Sequence, residues 1–480
     1  TLLLEAADFG KGTSSRSTKL VHGGVRYLQQ GNVPLVIEAL KERGILRKNA
    51  PHLVSDLPFV VPNYRWWEAP FYGVGMRVYD VLAGRYEFGH SRNLSVEETV
   101  ERLPTIETEG LRGGVEYHDG QFDDARLLVH LAMTAAEQGA TLVNYMRVVD
   151  IVKSEEGFAS GVRARDLESS VEREITGRVV INATGAFSDA VRRLDDPAAR
   201  PIIQPSQGVH IVLDRAFLPG DSAIMVPHTD DGRVLFAIPW KDRVLIGTTD
   251  TPIDDVSLEP RPFREEVDFL LEHAARYLTR DPARSDVLSV FVGIRPLVAE
   301  ADSEETAKLS REHAIRISDS GLLTIAGGKW TTYRKMAEDA VDAAQTLGDL
   351  TERPCVTTEL NVHGYHRHAD KYGDLAVYGS DAQRIVDLTE DDPALGARLH
   401  PRLEITGAEV VWACREEMAR TVDDVLARRT RSLLFDARAA VEAARPVAEL
   451  MARELDRDDA WIIDQVSAFR SLASGYLLDG

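Results

Sequence analysis

The sequence predicts an α/β domain, an antiparallel β-rich domain, and an all-α C-terminal domain. Three observations carry this. The chain opens on Leu2-Leu3-Leu4-Glu5, an apolar strand ending in an acid, and two further apolar runs, at residues 179–182 and 322–326, lead into glycine turns. Between Gln207 and about Val298, short alternating or continuous apolar runs are separated by turn dipeptides such as Asp231-Gly232 and Lys241-Asp242. From about Ala376 to Gly480, Gly and Pro are sparse and opposite charges recur at i,i+4. The first domain is expected over residues 1–60, 120–200 and 320–350, the second over 61–119 and 201–319, and the third over 355–480.

A chain of 480 residues can bury a large core and holds two or three such units. Its 44% hydrophobic and 28% charged content are ordinary for a globular protein. The net charge of -21 argues against a general nucleic-acid binder, because phosphate contacts need basic patches, yet it leaves room for a local cationic pocket. The two cysteines, Cys355 and Cys414, stand far apart and outside any C-x-x-C motif. Neither a disulfide framework nor a metal site is expected, and a reducing cytoplasm fits. No apolar run approaches the length of a membrane span, and no signal peptide is visible.

In chain order, residues 34–48 carry Leu35, Ala39, Leu40 and Leu46 near helical spacing, and Asn49-Ala50-Pro51 ends the pattern. Residues 57–86 are rich in aromatics and proline. Trp66, Trp67, Phe71 and Tyr72 beside Arg65 and Arg77 suit either a bilayer interface or a helix packed over the first domain, and the pattern leaves both open. Asp123 and Asp124 can cap a helix through Leu127, Leu128, Leu131 and Ala135 that ends at Gly139, with strands at 141–152 and 161–167 to follow. A helix over about 264–278 interrupts the β-rich stretch. His363, His366 and His368 lack a neighbouring carboxylate or cysteine set and read as a solvated linker.

The most informative stretch is GTSSRSTKLVHGGVRYL, residues 12–28. Small hydroxylated residues (Thr13, Ser14, Ser15, Ser17, Thr18) alternate with cations (Lys11, Arg16, Lys19), and the run ends in Gly23-Gly24 followed by Arg26 and Tyr27. Hydroxyls and free amides suit phosphate oxygens, and paired glycines let backbone approach a flat ligand. Glu5 stands where a dinucleotide fold places the carboxylate that receives the adenosine ribose. The strand-plus-acid, TSS-x-S-x-KL and HGG-x-RYL at this spacing resemble the opening of the FAD-dependent glycerol-3-phosphate dehydrogenases, within the flavoprotein group that includes D-amino-acid and sarcosine oxidases. The likeness is dense over residues 1–345 and general beyond. It implies a Rossmann-like FAD-binding domain under an antiparallel substrate domain. Members of that family begin with a strand and a G-x-G-x-x-G turn, whereas this chain opens inside what would be the second strand. An N-terminal piece of about 25–30 residues, one βα unit, is expected to precede it.

The resemblance also implies roles. FAD is expected at Glu5, Thr13, Ser14, Ser17, Lys19, His22 and Gly23, and its adenine at the backbone of Val148 and Val149. It is further expected at Ala183, Thr184 and Gly185 of the x-x-x-N-A-T-G element, and at Gly327, Gly328, Thr331 and Thr332 of GGK-x-TTYRKMAE. Glycerol 3-phosphate is expected at Arg26, Tyr27, Thr249 (IGTTDT) and Arg311 (LSREHAI). His210 (QGVHIVL), Arg295 (VGIRPL) and Lys329 are expected to carry the chemistry, His210 as proton acceptor and Arg295 as its rival for holding an alkoxide. An alcohol oxidised by a flavin loses its hydroxyl proton and passes a hydride from carbon, so the site needs a base, cations for the phosphate, and donors for developing charge. A quinone is the expected electron acceptor and oxygen the alternative. A non-catalytic, FAD-less binding protein is the alternative of another class. A cytoplasmic location with peripheral contact on the inner membrane and a homodimer complete the expectations; nucleic acid and metal are not among them.

Overall fold

The computed structural model describes residues 1–29, 31–227, 229, 232–298 and 313–478 of the chain. Its largest element is a ten-stranded sheet built on Ile203–Asp214. Ser289–Val298 lies antiparallel along one side of that strand, pairing Ser206 with Arg295 and His210 with Phe291. Arg243–Gly247 and Thr251–Pro252 share the other side. The sheet continues through Leu235–Trp240, Ala223–Val226, Val54–Pro62, Gly114–Phe122 and Leu20–Val21, and Arg92–Leu94 flanks Gly114–Phe122. The expected antiparallel character holds except where Ala223–Val226 runs parallel to Val54–Pro62.

Alternation decides how this sheet is covered. Val209, Ile211 and Leu213 face one way, against Val267, Leu270 and Ala274 of the helix Arg264–Ala275. Val212, Leu245 and Phe291 face the other way and pack on Val425, Leu426, Leu433 and Leu434 of the C-terminal region. That region is helical, as expected, with Ala437–Glu454 and Asp459–Ala473 its longest members. Ala439, Ala440, Ala443, Ala444 and Ala448 are fully buried along the first, small side chains that let neighbouring backbones approach closely.

The nucleotide-type region is smaller and divided. Leu2–Leu4 pairs in parallel with Thr141–Val143, and Ile181–Asn182 pairs in parallel with Leu323–Gly327. The antiparallel meander Met146–Lys153, Ala159–Asp166 and Glu172–Thr176 lies between these pairs in sequence.

Several expectations are corrected here. The strands Leu20–Val21 and Val54–Pro62 belong to the large sheet although the division at residue 60 assigned them to the nucleotide-type domain, because both pair with Gly114–Phe122. The strand expected over 141–152 is two strands, parted at Tyr145, whose φ of 55° turns the chain. The helix at 264–278 stops at Ala275. His363 is not part of a solvated linker: its ring is held between Glu137 and Asp381, each at 2.6 Å.

Candidate functional site

The stretch 12–28 is the hub of the site. Thr13 Oγ1 donates to the carbonyl of Ile294 at 2.5 Å, and the Ser14 carbonyl accepts from Trp330 Nε1 at 2.9 Å. Thr18 Oγ1 lies 2.9 Å from His210 Nε2, and the His22 amide donates to Thr331 Oγ1 at 3.3 Å. One loop therefore ties the large sheet, through Ile294 and His210, to the turn that carries Lys329.

The loop lies against the sheet because glycines floor it. A Cβ on Gly293 would come 2.6 Å from the Arg16 carbonyl, one on Gly208 would meet Arg295 Nη2 at 2.5 Å, and one on Gly247 would meet His210 Cδ2 at 2.2 Å. Each position falls on the same face as His210 and Arg295, since directly paired residues point the same way. Arg295 is held by Asp250 Oδ1 and Thr248 Oγ1, both at 3.1 Å. The His210 ring stacks on Phe291, with centroids 4.9 Å apart and planes 14° from parallel. Burial, then the charges of Arg295 and Lys19, hold its pKa well below the usual imidazole value, so it is neutral at pH 7. On the other arm of the hub, Lys329 Nζ sits 3.9 Å over the ring of Tyr27.

The expected cofactor contacts divide. Glu5 ends its strand with a half-buried carboxylate that accepts from the Ala7 amide at 3.0 Å, and burial raises its pKa. Gly185 (φ 56°) follows Ile181–Asn182, and Gly327 and Gly328 (φ 77° and 79°) end the strand paired to it. Ligands of parallel α/β sheets lie beyond such carboxyl ends. Ala183 and Thr184 are exposed, with the Thr184 amide and hydroxyl tied to Asn182 Oδ1. Val149 falls in a bulge that breaks the pairing between Val148 and Asp150. Thr331 and Thr332 are buried ahead of the helix Tyr333–Leu347. Gly23 packs on Tyr79, whose hydroxyl accepts from its amide at 2.7 Å.

Other side chains are committed elsewhere. Lys19 spends all three donors on Asp124 Oδ1, Asp124 Oδ2 and the Ser15 carbonyl, at 2.6–2.8 Å. Ser17 likewise bonds Asp124 through both amide and hydroxyl. These two position the loop rather than offer polar side-chain groups to a cofactor. Thr249, expected at the substrate, is fully buried, accepting from the Val209 amide and donating to Glu266. Its neighbours Thr248 and Asp250 make the contacts to Arg295, because side chains alternate along an extended chain. The side chain of Arg26 and the whole of Arg311 lie outside the described residues. Sequence reasoning missed Asp124, Thr248 and Asp250; the TTDT run held the last two, but spacing alone did not say which threonine points inward.

This arrangement defines a flavoprotein-type oxidoreductase: acid-ended and glycine-ended parallel strands, with a neutral histidine and an arginine on an adjoining sheet. The donor set fits FAD, which Glu5, the 13–23 loop, and the turns at Gly185 and at 327–332 would hold. A family profile described as "FAD dependent oxidoreductase" matches residues 1–334, and one described as "C-terminal domain of alpha-glycerophosphate oxidase" matches residues 323–461. The chain is 42% identical to the mitochondrial glycerol-3-phosphate dehydrogenase of Macaca fascicularis, over 96% of this chain and 68% of that protein. It is 41% identical to the human one over the same shares. The crystal structure of the glycerol-3-phosphate dehydrogenase of Bacillus halodurans complexed with FAD superposes with a TM-score of 0.80 at 28% identity, over 99% of this chain and 90% of that one. The chain belongs to the FAD-dependent glycerol-3-phosphate dehydrogenases, within the family of D-amino-acid-oxidase-like oxidoreductases.

Proposed function

We propose that this chain oxidises sn-glycerol 3-phosphate to dihydroxyacetone phosphate and that its electrons pass to a membrane quinone. The observation that carries the reading is the buried, neutral His210 set beside Arg295 on a glycine floor. When bound, FAD accepts the hydride. His210 takes the proton of the secondary hydroxyl, and Arg295, oriented by Asp250 and Thr248, stabilises the oxygen as negative charge grows on it. Tyr27 and Lys329 line the other arm, where a lysine charge suits the phosphate or the developing oxyanion. Arg26 and Arg311 are assigned to the phosphate by resemblance.

The quinone reading draws support from the helix Glu68–Ala83. Tyr72, Met76 and Tyr79 are buried on one side, whereas Phe71, Val74, Val78 and Val81 form an outward stripe, 43–80% exposed, continued by Trp66 at 78%. Arg65, Arg77 and Arg85 flank it. An apolar stripe with aromatic and cationic borders suits insertion into one leaflet. No helix among the described residues is long and apolar enough to cross a membrane.

The test is spectroscopic. The FAD-loaded chain, mixed with glycerol 3-phosphate without oxygen, should lose its flavin absorbance near about 450 nm. It should then reduce a quinone faster than it makes peroxide. A flavin that stays oxidised ends the reading, and a Val74→Glu, Val78→Glu variant that still sediments with anionic vesicles ends the membrane part of it.

A further inference from the structure

Arg295 is oriented by a stretch of chain that the sheet alone does not hold. Gly247 pairs with His210, and Thr251 pairs with Gln207, four steps along one strand against three along the other. The extra residue makes a bulge, and residues 248–250 lie outside the regular ladder. The bulge sends side chains to two faces. Thr248 and Asp250 reach Arg295, and the Ser206 hydroxyl also donates to Asp250. Thr249 and Thr251 turn to the opposite face, the one that Val209 shares with the helix Arg264–Ala275.

Glu266 waits on that face. It stands in the first turn of the helix and is buried. Thr249 Oγ1 and Thr251 Oγ1 donate to its Oε1 at 3.0 and 2.6 Å. Gln207 Nε2 and the Phe263 amide donate to its Oε2 at 2.6 and 3.0 Å. Four donors match the acceptor capacity of one carboxylate. Thr249 in turn accepts from the Val209 amide at 2.9 Å, a hydroxyl standing where a regular ladder offers a carbonyl. The carboxylate thus replaces the rungs that the bulge removes.

We propose that Glu266 is a positioning residue for the reaction: from beneath the sheet it locks the bulge, so that Thr248 and Asp250 hold Arg295 toward the reacting oxygen. The inference rests on Arg295 being the group that stabilises that oxygen. Arg295 is open to a substrate, with 21% of its side chain exposed. Glu266 acts through it and makes no contact with substrate.

The test follows flavin reduction by glycerol 3-phosphate in the FAD-loaded chain without oxygen, over a range of substrate concentrations. Glu266→Gln keeps the shape but puts a donor where two donors already converge. Its limiting rate should fall about 30-fold, while half-saturation moves less than about 3-fold and the FAD dissociation constant stays put. Asp250→Asn should be slow as well, and the double variant no slower than the slower single one. Once Asp250 has released Arg295, Glu266 has nothing left to act through. Losses that multiply in the double variant overturn the inference, as does a Glu266→Gln loss confined to half-saturation or to FAD release. Arg295→Lys that reduces flavin at the wild-type rate overturns instead the site reading beneath it. Should Glu266→Gln fail to fold, Thr251→Val removes one of the four bonds. It should slow reduction about 5-fold, again without adding to Asp250→Asn.

Discussion

The large sheet and the nucleotide-type strands hold their parts of the site by different means. Ile203–Asp214 and Ser289–Val298 are buried on both faces, between a helix and the C-terminal helices, and they present His210 and Arg295 from a fixed floor. The loop after Leu2–Leu4 is instead fixed by charge. Asp8 is fully buried against Arg428 and Arg429 of the C-terminal region, and Lys11 bonds Asp423 at 2.5 Å. Apolar burial is non-directional and suits a rigid floor, whereas paired charges fix a short polar loop that has little to bury.

Removing one partner from the charged clamp should have the largest effect. Asp8→Ala leaves two buried guanidinium groups short of a carboxylate and should cost about 3–5 kcal/mol in urea unfolding. Phe59→Ala, a fully buried ring stacked on Tyr117 in the large sheet, should cost as much through a cavity, about 3–5 kcal/mol. A small loss in either shows that the corresponding means of support is not what holds that region. Gly247→Ala probes the floor without touching the clamp. Its methyl would displace the His210 ring, and kcat should fall about 100-fold, with a smaller loss of stability, about 1–3 kcal/mol, from overpacking.

A pH scan should separate a third cluster. His52 and His130 are neutral, stacked and hydrogen-bonded at 3.0 Å; burial pushes the His52 pKa down to about 4 and that of His130 well below its usual value. Their neutral forms are the folded ones, so the stability they support is complete above pH 6.5 and is lost as pH falls toward 4. His363 has the opposite sense. Burial works against its charge, but Asp381 and Glu137 outweigh it and raise its pKa, so its contribution is lost as pH rises through that raised value. Melting temperatures measured from pH 7 to 4.5 should therefore fall on the acid side; a flat profile contradicts this.

Much of this was legible along the chain. Local order carried the strand-plus-acid opening, the glycine turns and the capped helix behind Asp123, because caps, turns and period-two alternation depend on neighbours in sequence. The motifs of residues 12–28 and 207–213 likewise led to the family and to His210. Lys19 misled, since a cation in a hydroxyl-rich loop reads as a phosphate ligand until Asp124, 105 residues away, claims it. Thr249 misled by one position, because which threonine faces inward depends on the pairing of its neighbours with Ile203–Asp214. The sequence by itself therefore determined the class of fold, the family and the residue types of the site. Only the tertiary structure decided which side chains reach one another: the clamp on Asp8 and the bond from Thr18 to His210 join residues 192 to 421 positions apart, and no local preference can specify such meetings.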